Sequence, residues 1–304
     1  MLTETQWREE RAHIDRVVET DGEWVGILDG EGEPLWELEA FEYDVSTRNL
    51  DVTEGTLTVP VVTGDGTFHP LVTAFFGAGF GTDAGAILQP GENLGYMLCV
   101  QKPGGIEGRM VSTISYPTLE PGPDGEPATL TFETMELLGE LNFVLAASIP
   151  DTWGAQPFER WDADQGGVYK VARELSPVEI ATTSWVLTTA PKQQGSIDVR
   201  HVVSGPAVQR ISEVIQDSLD AADRLDGTLE DPAFVVSPGE GDSPVVRIAR
   251  RDDPVWGTVA ETARLAGVEL SARLWWPGDA PVPTLKGEQQ WQKAMGVIRV
   301  KAES

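Results

Sequence analysis

Paired turn formers cut the N-terminal half of this chain into pieces too short for anything but strands. Asp29-Gly30-Glu31-Gly32, Thr63-Gly64-Asp65-Gly66, Gln89-Pro90-Gly91-Glu92, Lys102-Pro103-Gly104-Gly105 and Pro121-Gly122-Pro123-Asp124-Gly125 recur between apolar runs. Proline holds φ near −65° and glycine accepts positive φ, so such pairs reverse the chain. The runs between them, WVGILD, LWELEAFEYDV, GTLTVPVV, LVTAFF, NLGYMLCV, GRMVSTISY and ATLTFE, read as seven short strands from Trp24 to Phe132. Leu94, Tyr96, Leu98 and Val100 alternate onto one face, and Met110, Val111 and Ile114 restart the pattern after the next turn. A sandwich or barrel is expected here, and no helical unit.

The flanking sequence has a different period. Residues 4 to 19 predict a helix capped by Thr3, with Trp7, Ile14, Val17 and Val18 near helical spacing. Residues 134 to 146 fit a short helix or a continued sheet equally, because Gly139 weakens a helix. PDTWGAQPFERWDADQGGVY reads as an irregular crossing, and Ala181 to Thr189 as a strand. Pro206 suits a first helical position, with Ala207, Val208, Ile211, Ile215, Leu219 and Ala222 forming one apolar stripe. VVRIAR predicts a strand, Val255 to Ala266 a helix ended by Gly267, VELSARLWW a strand, and GVIRVKAES an edge strand. The fold class is therefore α+β and predominantly β.

With 304 residues, 40% of them hydrophobic, the chain can bury a substantial core. It holds no window of eighteen apolar residues, and its first twenty residues are too charged for a signal-peptide core, so synthesis in the cytoplasm and no membrane span are expected. A lone Cys99 excludes an internal disulfide framework. Forty-nine acidic against 22 basic residues give a formal charge of −27, which repels phosphate backbones, so no sequence-specific nucleic-acid binding is expected. Such acidity serves solubility or a high-salt setting, or keeps a surface beside DNA from sticking to it.

Chemistry-bearing motifs are few. His13, His69 and His201 lie far apart, and His201 falls in a strand alternation with Ile197, Val199 and Val203, so structural roles are expected. GAGFGTDAGA, Gly77 to Ala86, lacks the strand-loop-helix setting of a dinucleotide loop and reads as a surface loop. Nucleophile-elbow, HExxH and P-loop patterns do not occur. Cys99 in YMLCVQ suits core filling. No catalytic residue, metal site or cofactor is expected. In the Trp275-Trp276 pair, strand alternation places one ring in the core and the other outward. Trp153, Trp161, Trp275 and Trp276 with abundant carboxylates support an alternative reading, a cell-wall carbohydrate-binding or wall-hydrolysing module. A third reading is an acidic cytosolic enzyme from a salt-loving organism.

Three stretches occur in a telling order: LQPGENLGYMLCVQKPGGIEGRMVSTISY, SIDVRHVVSGPAVQRISEVIQDSLDAA, and VVRIARRDDPVWGTVAETARLAGVELSARLWW. Together, over roughly Leu35 to Trp276, they resemble the tail-tip (baseplate) hub or tail-associated minor tail proteins of long-tailed phages, particularly those infecting actinobacteria. The resemblance implies a tail-tube-like β-barrel, a homo-oligomeric ring with a trimer favoured, and a place in the virion at the tail tip. It implies the distal tail protein, the tape-measure protein and other tail-tip proteins as partners, around a channel for DNA. The expected domains are a helical arm at 1–21, a β-barrel at 22–146, a crossover with strands completing the barrel core at 147–204, a smaller α+β domain at 205–283 and a tail strand at 284–304. Because aromatic anchors dominate such contacts, Trp7 and one of Trp275 or Trp276 are expected at the subunit interface.

Overall fold

The structure, a computed structural model, describes residues 2–39, 41–45, 51–76, 95–121, 127–146, 201–226, 228, 232–250, 253–289 and 291–303. Its contacts divide into two units. The first is Met1–Gly139 with Ala272–Pro281 and Gln289–Val297; the second is Glu140–Ser271 with Val282–Glu288 and Ile298–Ser304. The stretches expected as one α+β domain and one tail strand are thus shared between the units. The loop Gly77–Ala86, the strand Ala181–Thr189, Trp153 and Trp161 lie outside the described residues.

In the first unit, helix α1 (Glu4–Asp21) starts where Thr3 and Gln6 form a reciprocal capping box and stops at Gly22, whose φ of 90° only glycine adopts cheaply. Trp7, Ile14 and Val18 form its buried stripe, and it packs on β1.

Strands β1 (Trp24–Leu28), β2 (Pro34–Glu37), β3 (Glu42–Asp44), β4 (Glu54–Pro60), β5 (Met97–Gln101), β6 (Arg109–Pro121) and β7 (Pro127–Glu136) form one antiparallel sheet in the order β2-β1-β5-β6-β7-β4-β3. Among the described residues the hydrogen-bonded order ends at β2 and β3, and the sheet does not close into the expected barrel. One face carries Val25, Ile27, Leu57, Val59, Leu98, Val100, Ile114, Leu130 and Phe132 in a single apolar cluster. β1 and β5 are buried at every position, so the face opposite Leu98 and Val100 is covered too.

Two stretches differ from the sequence expectation. LVTAFF is not a strand but part of helix α2 (Pro70–Phe76), which brings Leu71 into the cluster. A short apolar run does not reveal its own period; the deciding features are Pro70 in the first turn and the His69 ring, whose Nδ1 accepts the Leu71 N–H at 3.2 Å. The ambiguous 134–146 stretch resolves into the end of β7 and a 3₁₀ turn, Leu137–Asn142.

The second unit pairs β8 (His201–Pro206) with β10 (Val245–Arg250), antiparallel. Helix α3 (Ala207–Asp226) begins one residue after Pro206, with the Ser243 hydroxyl accepting the Val208 N–H. Helix α4 (Val255–Ala266) ends at Gly267 in the left-handed region, as its sequence predicts. Between β8 and β10 in the chain lies β9 (Phe234–Val236), whose Val236 N–H is taken by Gln216 of α3 at 3.0 Å. Strand β11 (Val268–Trp275) is followed by the small pair β12 (Val282–Thr284) and β13 (Gly287–Gln289), then by β14 (Met295–Ala302). β14 is the middle strand of the order β11-β14-β9, not an edge, and its first four residues are all buried. Arg250 is 1% exposed and meets Asp217 of α3 at 2.7 Å.

The result is predominantly β, of α+β class.

Candidate functional site

The two tryptophans expected to diverge are both interior: Trp275 is 2% exposed and Trp276 1%. The alternation that would turn one outward ends at Trp275, the last residue of β11. Trp276 instead opens a turn closed by the Asp279 N–H on its carbonyl at 2.9 Å, with Pro277 second and Gly278 third at φ 92°. The sequence feature that ends the strand thus also aims the second ring inward. Trp7 is equally interior, at 2%. None of the three, expected as Trp7 and one of Trp275 or Trp276 at a subunit interface, presents an exposed ring.

What they build is a packed aromatic and ionic cluster in the first unit. The Trp276 ring lies 5.8 Å from Trp7 and 6.4 Å from Trp24 between centroids. Its indole N–H donates to the Gly32 carbonyl at 3.0 Å. Gly32 sits in the Asp29–Glu33 turn, where the Asp29 carboxylate accepts the Glu31 and Glu33 N–H groups. Only glycine fits there: its φ is +80°, and a Cβ would stand 2.8 Å from that of Ala294.

Arg109, 2% exposed at the start of β6, crosses this cluster. Its Nε donates to Gln101 at 2.8 Å, and its Nη1 to the Leu274 carbonyl at 2.8 Å and the Asp279 carboxylate at 2.7 Å. Its guanidinium also stands over the Trp276 ring. Asp279 is fully engaged, also accepting from Arg11 of α1 at 2.9 Å and from the Trp276 N–H at 2.8 Å. A buried charge is tolerable only when paired and hydrogen-bonded in this way. With its donors and acceptors turned on one another, the cluster is a mechanical joint that ties the Trp276–Asp279 turn to α1 and β6. Two indole N–H groups, of Trp7 and Trp24, are buried without a partner, a local cost of about 1–3 kcal/mol each.

Other titratable groups answer to burial. The Cys99 thiol is buried and pushed up to about 12, which makes it inert filling, as its strand setting predicts. His69 is held below its ordinary value by burial. His13 meets Glu37 at 2.6 Å on the surface. Tyr43 is raised to about 12 by burial and by its bond to Glu23, while the turn hydroxyls and N–H around Asp65 lower it to about 2. Among the described residues no group of three or more His, Cys, Asp or Glu side chains gathers for a metal, and no helix is long and apolar enough to cross a membrane.

Trp275 donates to the Ala280 carbonyl and meets Trp291 edge-on, so neither ring of the pair is a platform for a sugar. Arg109, Asp279 and Arg11 were not singled out by sequence. The signal available was an arginine heading an otherwise apolar strand and an aspartate closing a Trp-Pro-Gly-Asp turn.

No family model matches the chain, and no curated protein matches it.

Proposed function

We propose that the chain is a structural virion protein, a minor tail protein that forms a ring at the tip of a long-tailed phage, links the distal tail ring to the host-attachment apparatus and surrounds the DNA channel. The observation that carries this reading is the ordered likeness of three sequence stretches to tail-tip hub proteins. Among the described residues, the first includes β5, the 3₁₀ turn Gly105–Gly108 and part of β6; the second β8 and most of α3; the third β10, α4 and β11. The charge of −27 supports it, since an acidic wall lets a polyanion slide past.

In this reading the seven-stranded sheet is the subunit's part of a tail-tube-like wall. Trp7, Trp275 and Trp276, being buried, hold the subunit itself together. The partners are further copies of the chain, a trimer being favoured, with the distal tail protein, the tape-measure protein and other tail-tip proteins.

Native mass spectrometry of the purified chain, alone and with the distal tail protein from the same genome, tests the proposal. A closed homo-oligomer that takes up the distal tail protein is expected. A monomer that ignores it, or an activity that cleaves host cell walls, overturns the reading.

A further inference from the structure

The hydrogen-bonded order of the sheet ends at β2 and β3, yet only residues 38–41 separate these strands in the chain. The Leu38 N–H donates to the Val25 carbonyl of β1 at 2.9 Å, and the Tyr43 hydroxyl of β3 donates to Glu23, just before β1, at 2.8 Å. Among the described residues no ladder joins β2 to β3, but the sheet curls until its two ends lie side by side around the apolar cluster. The outer face of this curl, not a strand edge, is what it offers a second chain.

That outer face is divided. Over β1 and β5 it is buried at every position. Over β3, β4, β7 and the far half of β6 it is not. Leu57, Val59, Leu130 and Phe132 point into the cluster, so strand alternation turns Thr56, Thr58, Thr129, Thr131 and Glu133 outward. The register sets Glu42, Thr58, Thr131 and Thr118 in one row and Asp44, Thr56 and Glu133 in the next, while Thr129 faces Glu120. Glu54 opens β4 on the same side. The hydroxyls of Thr58 and Thr131 bond at 3.0 Å. Thr56, Thr58, Thr129 and Thr131 are half-buried, and all five carboxylates are exposed.

The strands of this face contain no cation: no lysine or arginine occurs from residue 17 to 47, from 49 to 101 or from 110 to 159. Several carboxylates elsewhere are paired, Glu4 with Arg8, Glu213 with Arg210, Asp217 with Arg250 and Asp220 with Lys286. Glu42, Asp44, Glu54, Glu120 and Glu133 have no ion pair among the described residues. Like charges on neighbouring strands repel, and no described side chain offsets them.

We propose that this hydroxyl and carboxylate face docks a polypeptide partner that presents lysine or arginine side chains. Charge complementarity selects the partner: ammonium and guanidinium groups donate to carboxylates and hydroxyls and offset the repulsion, whereas phosphate adds to it. The row of threonines across β4, β7 and β6 suits an extended segment, whose alternate side chains fall on one side. The docking face is independent of the tail-tip reading.

A synthetic peptide of alternating lysine and threonine, titrated into the full chain and followed by the threonine methyl signals, is the test. Shifts should centre on Thr56, Thr58 and Thr131, and binding should weaken as salt rises. E42Q/E54Q/E133Q should weaken binding by about tenfold, while E9Q/D15N/E19Q, which removes the same charge from exposed positions of α1, should leave it unchanged. E133K alone should also weaken it, and decides if the triple variant fails to fold. Shifts centred on another surface, equal losses in the two triple variants, or native affinity in E42Q/E54Q/E133Q or in E133K would overturn the docking face.

Discussion

The guanidinium carbon of Arg109 stands 3.6 Å from the ring centroid of Trp276, while one nitrogen of the same group holds both the Leu274 carbonyl and the Asp279 carboxylate. One side chain of β6 thus fixes a ring, a strand end and a turn that lie more than 160 residues away in the chain.

Removing that side chain should be severe. Arg109→Ala leaves Asp279 buried with less compensation and is expected to cost about 3–5 kcal/mol. Arg109→Lys keeps a charge but cannot reproduce the fork that reaches Gln101, Leu274 and Asp279, so a smaller loss is expected. Urea unfolding followed by tryptophan fluorescence measures both, and a double-mutant cycle with Asp279→Asn should give a coupling of at least about 1 kcal/mol.

The Trp24 ring lies over its own strand at Gly26. A Cβ there would come within 2.3 Å of the ring and 2.7 Å of the Trp36 carbonyl. Gly26→Ala is expected to destabilise by about 1–3 kcal/mol through overpacking. Gly64→Ala, where nothing lies within 4 Å of the added carbon, should change stability by less than about 0.5 kcal/mol. Equal losses at the two positions in thermal unfolding would contradict this packing.

Cys99 should ignore a disulfide reagent in the folded protein, because its thiol is buried and pushed up to about 12. Modification should appear only at the rate at which the sheet unfolds, and become complete in denaturant. Rapid labelling under native conditions would mean that the covered face of β5 is accessible.

His69 gives an acid-side prediction. Its folded value lies below the ordinary 6.5 because burial disfavours the charged ring, so the unfolded chain binds the proton first. The stability it contributes is present above pH 6.5 and is lost as pH falls below that value. Glu136, raised by burial, contributes in the opposite sense, so the two must be separated by mutation. His69→Asn keeps an acceptor for the Leu71 N–H but no titrating ring. Stability curves from pH 7.5 to 5 should show a smaller acid loss in the variant than in the native chain.

What the sequence made legible was local chemistry. The Thr3 cap, the Gly267 stop and the apolar stripe from Ala207 were readable because each end or face is specified by neighbouring residues. α2 was not, because a run as short as LVTAFF carries no period and the deciding His69 contact is made by a ring no pattern singles out. The joint at Trp276 was half legible. Pro277-Gly278 announced a turn, but the turn's effect was to end the alternation on which the outward ring depended. Its ionic half lay beyond reach, since nothing near Arg109 in the chain points to Asp279. The open sheet was hidden for a related reason: hairpin signals give the strands and their turns, and leave unsaid whether the first and last strands meet.

The reading of the chain as a ring subunit of a tail tip is tested most directly on virions. Gold-labelled antibody to this polypeptide, imaged on purified particles by negative stain, should mark the tail end opposite the capsid and leave the rest of the particle bare. Labelling confined to the capsid, or particles that carry none of the chain, would contradict the account.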